Sequence, residues 1–508
     1  MKRSDSEAVK QAGTPAYPDS VAVGQQSVQK AAGCPSDMQH IIIIGAGLGG
    51  LECGYILAKH GLQVTVLEHD ARVGGCLQSF RRGDTLFDAG FHYVGGLAEG
   101  QPLHRIFSYL DLLDLPWQRM DTDCFDEVII GDHRFPFAQG HEAFAERLTE
   151  YFPHQRENIN QYTRFLQHVG EHVFDPLQPD YQGNPLFGES AYDWLCRTIS
   201  DPLLRQVLSG TSLKMELRAE TMPLYTFAQI NDSFIQSAWR LSGGGQQIAD
   251  RLRQGIEAMG GQVRTRATVT RLMEYNGRIN QVEINGEERL QADCVISNAH
   301  PAVTLSLVDD CPAIRKIYRR RIAALDNTDG MFTANIRLKP NTVPYLNRNL
   351  FIHREGADLW QNPTDSMLVH FYPDAHALDI LTPMRWEEVA PWADKPRGRR
   401  GDDYVAFKAQ KTEECLRRAE PFLPGLHQAI DRVYTSTPLS YTHYTLTPFG
   451  SAYGIRKDWR SPLTTVLTPR TPLPNLFLTG QNLNLHGILG VSMTALMTSK
   501  AIIELRLQ

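Results

Sequence analysis

The sequence predicts an α/β fold: a Rossmann-type dinucleotide-binding domain with a discontinuous α+β domain inserted into it. Three observations carry this expectation. Ile41 to Ile44 form an unbroken apolar run that leads straight into Gly45, Gly47 and Gly50 at G-x-G-x-x-G spacing. A second apolar run, Val64 to Leu67, ends in Glu68. Strand-and-turn patterns then return at 242–299 and 475–491, separated by stretches with a different pattern.

The first stretch reads as strand, tight turn and helix start. Missing side chains let a pyrophosphate approach the turn, and the free N–H groups and dipole at the helix N-terminus favour its negative charge. Gly45, Ala46, Gly47, Gly49 and Gly50 are the cradle candidates. Glu68 closes the second strand, where a carboxylate accepts hydrogen bonds from ribose hydroxyls. A glycine-rich packing turn would explain the glycines alone, but not strand, turn, helix and acid in register.

Arg72, Gly74 and Gly75 add a second phosphate-facing turn that a simple nicotinamide site does not need. FAD is therefore the expected cofactor. The order from Glu68 to Gly75, E-x-x-x-x-x-G-G, resembles the flavin-dependent amine oxidase and phytoene desaturase superfamily and implies its GR2-like flavin fold.

Phe87 to Gly96 follows, dense in glycines and aromatics, as suits a backbone pressed against a flat ring. An ordinary glycine-rich loop is the alternative. The form F-D-x-G-x-H-Y-V-G-G resembles the branch of the superfamily that holds retinol saturases and carotenoid isomerases, which implies that Gly90, His92 and Tyr93 lie by the flavin.

Length and composition bound the rest. A chain of 508 residues is too long for one average core. With 51 basic and 57 acidic residues the net charge is −6, which argues against nucleic-acid binding. Eight cysteines without a C-x-x-C pair suggest neither zinc nor a disulfide framework and fit a reduced, cytoplasmic setting. No apolar run is long enough to span a membrane. Residues 1–37 read as a disordered leader, with a targeting segment as the alternative.

From 101 to 240 the pattern turns to helices: Ile106 to Leu115, Phe144 to Leu166 and Leu203 to Leu213. Residues 241–300 bring back a helix at Gln246 to Met259, strands at Gln262 to Thr265 and Ile279 to Ile284, turns at Asn276-Gly277 and Asn285-Gly286, and a closing run at Cys294 to Ala299. Here the resemblance implies that Val269 holds the adenine through its backbone. From 301 to 444 the basic clusters Arg319 to Arg321 and Lys395 to Arg400 read as solvated surface or, alternatively, as contacts for anionic lipid. Leu476 to Leu478 is a short strand before Gly480 and Gln481, and Gly487 to Val491 opens a last helix whose N–H groups can face a flavin edge. The resemblance implies flavin contacts at Gly480, Gln481, Gly487, Ile488, Gly490 and Val491.

The expected organisation is therefore three dinucleotide-binding segments, 38–100, 241–300 and 445–508, around two inserted substrate segments, 101–240 and 301–444. The resemblance implies an FAD-dependent oxidoreductase acting on carbon–carbon double bonds of an apolar isoprenoid or polyene. A flavin amine oxidase and a non-catalytic prenyl-binding escort share the fold and are the alternatives. His92 and His486 are the candidates for moving a proton, since histidine suits that task near neutral pH. No metal-ligand spacing is present. A single dinucleotide fingerprint leaves NAD(P)H only as a transient electron donor, and the electron partner is open.

Overall fold

The computed structural model describes residues 40–174, 184–373 and 376–507; the leader expected over 1–37 lies outside them. β1 (His40–Ile44) is the centre of a five-stranded sheet, flanked by β2 (Gln63–Leu67) and the strand Cys294–Ser297. Gln262–Arg264 and Leu476–Leu478 form the edges, and every pairing is parallel. Both faces are covered, so β1 needs apolar side chains throughout, and Ile41, Ile42 and Ile43 are fully buried. Helix α1 (Leu48–Lys59) packs between the helices Gln246–Ala258 and Gly487–Leu507.

The second large element is a seven-stranded sheet in the order Ile430–Ser436, Gly330–Leu338, Ala377–Met384, Ser366–Phe371, Asn349–His353, Asp126–Ile130, His133–Phe137. Its neighbours are antiparallel except Asn349–His353 against Asp126–Ile130. The helices His141–Tyr151, Arg156–Glu171, Ala191–Thr198 and Leu224–Gln236 share one apolar core with this sheet.

Three expected helices are cut shorter, each by an identifiable breaker. The first is Pro102–Tyr109 and stops where Asp111 takes a left-handed backbone with φ 55°. The second is two helices, with Pro153 opening the turn between them. The third, Pro202–Leu208, ends before Gly210, where any Cβ would collide with Val128. That close approach lays the turn Ser212–Lys214 against the strand that begins at Asp126.

Candidate active site

One long cavity starts at the carboxyl ends of the parallel strands, where open α/β sheets bind ligands. At its first end the Gly45 N–H donates to Leu67 O at 2.8 Å, tying the turn to β2. A Cβ on Gly50 would collide with the Gly45 carbonyl oxygen, so only glycine lets α1 start this close to the strand. The N-cap of α1 is Gly47, no side chain caps it, and no acid sits in its first turn. The first N–H groups of α1 therefore remain available to an anion. The Glu68 carboxylate, at the end of β2, accepts the N–H groups of Ala46 at 2.8 Å and Asp70 at 2.9 Å. An uncapped glycine cradle with an oriented carboxylate beside it fits an adenine dinucleotide.

Most expected cofactor residues line this cavity: Gly45, Gly47, Gly49 and Glu68, then Gly74, Gly75 and Gly90. His92, Tyr93 and Val269 join them, with Gln481, Gly487, Ile488, Gly490 and Val491 at the far side. Four do not. Gly50 serves the packing just described, and Ala46 enters through its bond to Glu68. Gly480 turns at φ +91° against the Asn298 side chain. Arg72 holds its own segment: its guanidinium donates to Ser79 O at 2.8 Å.

Sequence reasoning overlooked Asn298. It follows the strand Cys294–Ser297, donates its N–H to Ile44 O at 2.8 Å, and sets its amide against Gly47, Gly49 and Gly480. It lines the cavity where the stretches that carry Gly47, Asn298 and Gly480 meet.

Beyond the cradle the wall turns apolar, with Ile230, Phe234, Met331, Phe351, Leu368 and Leu381. His92 and His486 lie along this part. Burial, and then the charge of Arg240, lower the His92 imidazole to about 4. Its ring stacks edge-on with His370 at 5.1 Å, and its Nε2 is 3.9 Å from Asp379. Burial raises the Asp379 carboxyl to about 7 against the bonds it accepts from Tyr372 and Asn335. Burial likewise lowers His486 to about 4, with its Nε2 2.9 Å from Lys214 O. Both histidines are neutral near pH 7, which suits them to shape and polarise the wall better than to deliver protons.

Tyr93 turns its hydroxyl away from the cradle and donates to Asp126 at 2.9 Å. Asp126 also accepts from Asn349 at 2.9 Å and pairs with Lys214 at 2.7 Å. The Lys214 ammonium lies 4.3 Å from the Phe234 ring centre and within 6 Å of Phe125, Tyr93 and Phe351. Lys214 lines the cavity and was invisible to sequence reasoning, since nothing near it in the chain marks it out. Among the described residues no cluster could hold a metal ion, and no helix is long and apolar enough to cross a membrane.

The chain belongs to the flavin containing amine oxidoreductase family, whose model matches residues 48–503. It is an FAD-dependent oxidoreductase of that family. Among its relatives, the all-trans-retinol 13,14-reductase of Rattus norvegicus is 27% identical over 91% of this chain and 85% of its own. A prolycopene isomerase of an Oncidium hybrid cultivar is 26% identical over 55% of this chain and 52% of its own. The structure of a putrescine oxidase bound to putrescine superposes with a TM-score of 0.62 at 16% identity, covering 92% of this chain and 99% of that one, which shows the shared fold.

Proposed function

We propose that the protein acts on carbon–carbon double bonds of a long apolar isoprenoid or polyene, by saturation, desaturation or isomerisation. The observation that carries this reading is the continuity of one cavity from the glycine cradle to the apolar wall of Ile230, Phe234, Met331, Phe351, Leu368 and Leu381. The names of the retinol reductase and prolycopene isomerase relatives support it.

We assign the cradle Gly45, Ala46, Gly47 and Gly49, with Glu68, to the adenosine and pyrophosphate, and Gly487 to Val491 to the flavin ring. Bound there, FAD supplies hydride acceptance or donation. The apolar wall orients the chain of the substrate and excludes water, while neutral His92 and His486 present polar edges without adding charge. The seven-stranded sheet and its helices form the substrate part of the molecule in this reading. NAD(P)H serves only as a transient donor.

An amine oxidase fits the same fold less well. Four aromatic rings at the chamber, those of Tyr93, Phe125, Phe234 and Phe351, already surround the ammonium of Lys214, which repels a second cation there. A non-catalytic escort has no use for an uncapped glycine cradle.

Incubation of the flavin-loaded protein with retinol and with carotenoids, reduced and oxidised, is expected to change polyene absorbance. Hydrogen peroxide released with amines, with every polyene spectrum unchanged, would select the amine oxidase. Contact with a membrane belongs to the same proposal, through the exposed segment Lys395 to Arg400, and predicts co-sedimentation with anionic but not neutral vesicles. The cluster at Arg319 serves differently, since its guanidinium donates to the carbonyls of Leu305, Val308 and Asp309.

A further inference from the structure

Lys214 is a buried cation at the wall of an otherwise apolar chamber. Its side chain is 5% exposed and Asp126 is fully buried. Of the three ammonium hydrogens one serves Asp126; among the described residues no other acceptor meets the rest, which face the rings of Phe234, Phe125, Tyr93 and Phe351. An ammonium taken out of water normally collects all the acceptors it can reach, because unsatisfied donors there are costly. Here donors are left facing a cavity wide enough for a ligand.

The charges around it point the same way. Asn349 bridges Asp126 to a second buried cation, accepting from the Arg240 guanidinium at 2.9 Å and donating to Asp126 at 2.9 Å. Arg240 otherwise donates to the carbonyls of Leu346 and Phe371 and to the Tyr345 hydroxyl, and forms no ion pair among the described residues. Two buried cations thus share one carboxylate, Asp126. The next carboxyl, Asp379, lies beside His92 and is held by Tyr372 and Asn335. Among the described residues the only carboxylate lining the cavity, Glu68, is at the cradle end. Within hydrogen-bond reach of this network, among the described residues, Lys214 and Arg240 stand against the single carboxylate of Asp126.

We propose that Lys214, held in place by Asp126, anchors a terminal carboxylate on the otherwise apolar substrate. The substrate class narrows to a long unsaturated chain with an acid at one end, its carboxylate accepting from the Lys214 ammonium while the chain lies along Ile230, Met331, Phe351, Leu368 and Leu381. This rests on the reading of the chamber as the place of an apolar substrate. Asp126 prevents free rotation of the ammonium, and the aromatic rings keep competing water from it.

The test uses the flavin-loaded protein and three probes of one carbon skeleton: retinoic acid, retinol and the hydrocarbon with a methyl in place of the hydroxymethyl. Binding is read from the perturbation of flavin absorbance. The acid is expected to bind roughly tenfold or more tightly than the other two. In Lys214→Met that advantage disappears while the hydrocarbon binds as before. The double variant Lys214→Met with Asp126→Asn repeats the measurement without a stranded buried carboxylate. Equal binding of the three probes to the unaltered protein, or an acid preference that survives both variants, overturns the proposal. Conversion of the probes is followed separately by polyene absorbance. Conversion without an acid preference removes the anchor and keeps the double-bond reading; a Lys214-dependent preference with no polyene converted does the reverse.

Discussion

The Nε2 of His486 lies 2.9 Å from the carbonyl oxygen of Lys214, and a carbonyl only accepts, so Nε2 carries the hydrogen and Nδ1 is the bare nitrogen. The bond joins the entrance of the last helix to the turn that carries the chamber cation. It makes His486 a fixed spacer in its neutral form.

The first prediction concerns acid. His92 and His486 sit at about 4 in the folded protein against 6.5 unfolded. As pH falls from 6.5 to 4 the unfolded chain takes protons the native state refuses, so each histidine costs stability by up to about 1.4 kcal/mol per pH unit in that window. Catalysis is expected to show no histidine step near neutral pH. His92→Gln and His486→Gln should therefore leave the shape of the pH–rate profile unchanged; a step near the ordinary histidine value that either variant abolishes would contradict this.

Glu52 predicts the opposite slope. It lies fully buried in α1, accepts from Ser492 Oγ at 2.6 Å through Oε1, and has no partner for Oε2 among the described residues. Burial raises its carboxyl to about 8 from 4.5, so the native state keeps a proton the unfolded chain releases, and stability falls as pH rises through that window. Glu52→Gln removes the titration. Its melting temperature relative to the parent should climb by at least about 3 °C between the two limits and then level off. A constant difference across pH would show that Glu52 ionises freely.

Glu68 and Arg72 separate two kinds of cofactor residue. Under the proposed assignment Glu68→Ala loses the ribose acceptor, frees the Ala46 N–H, and should weaken flavin binding roughly tenfold or more. Arg72→Ala breaks a bond to Ser79 O at the protein surface and should change flavin affinity less than about twofold. Fluorescence titration of the apoprotein with FAD measures both, and equal losses would restore Arg72 to the phosphate site.

The chamber wall predicts a separation of flavin from substrate. Leu381 is buried in the strand Ala377–Met384 and lines the apolar part of the cavity. Leu381→Trp fills that space at a cost of about 1–3 kcal/mol in stability. Flavin content should stay at the parent level while KM for a long polyene rises roughly tenfold. A variant that loses flavin and polyene binding together would place Leu381 in the cradle.

The parallel sheet was legible because its central strand, Ile41 to Ile44, is a contiguous apolar run and the glycine turn after it is local. The seven-stranded sheet was not. Gly330–Leu338 carries Thr333 and Asn335 inside the protein, where Asn335 donates to Asp379 across the sheet, so its alternation does not read as a strand. Lys214 looks like any surface lysine until Gly210 lets its turn reach Asp126. Arg72 shows the same in reverse: its spacing gives no sign that its guanidinium donates to Ser79 O.

The edge strand Leu476–Leu478 has a consequence for synthesis. It completes a sheet whose central strand is among the first described residues, and Gly487 to Val491 closes the same cavity. A growing chain therefore exposes β1 and β2 on the ribosome through most of translation, with their apolar faces awaiting partners made hundreds of residues later. Closure of the cavity by Gly487 to Val491 therefore waits until the chain has grown more than four hundred residues beyond β1.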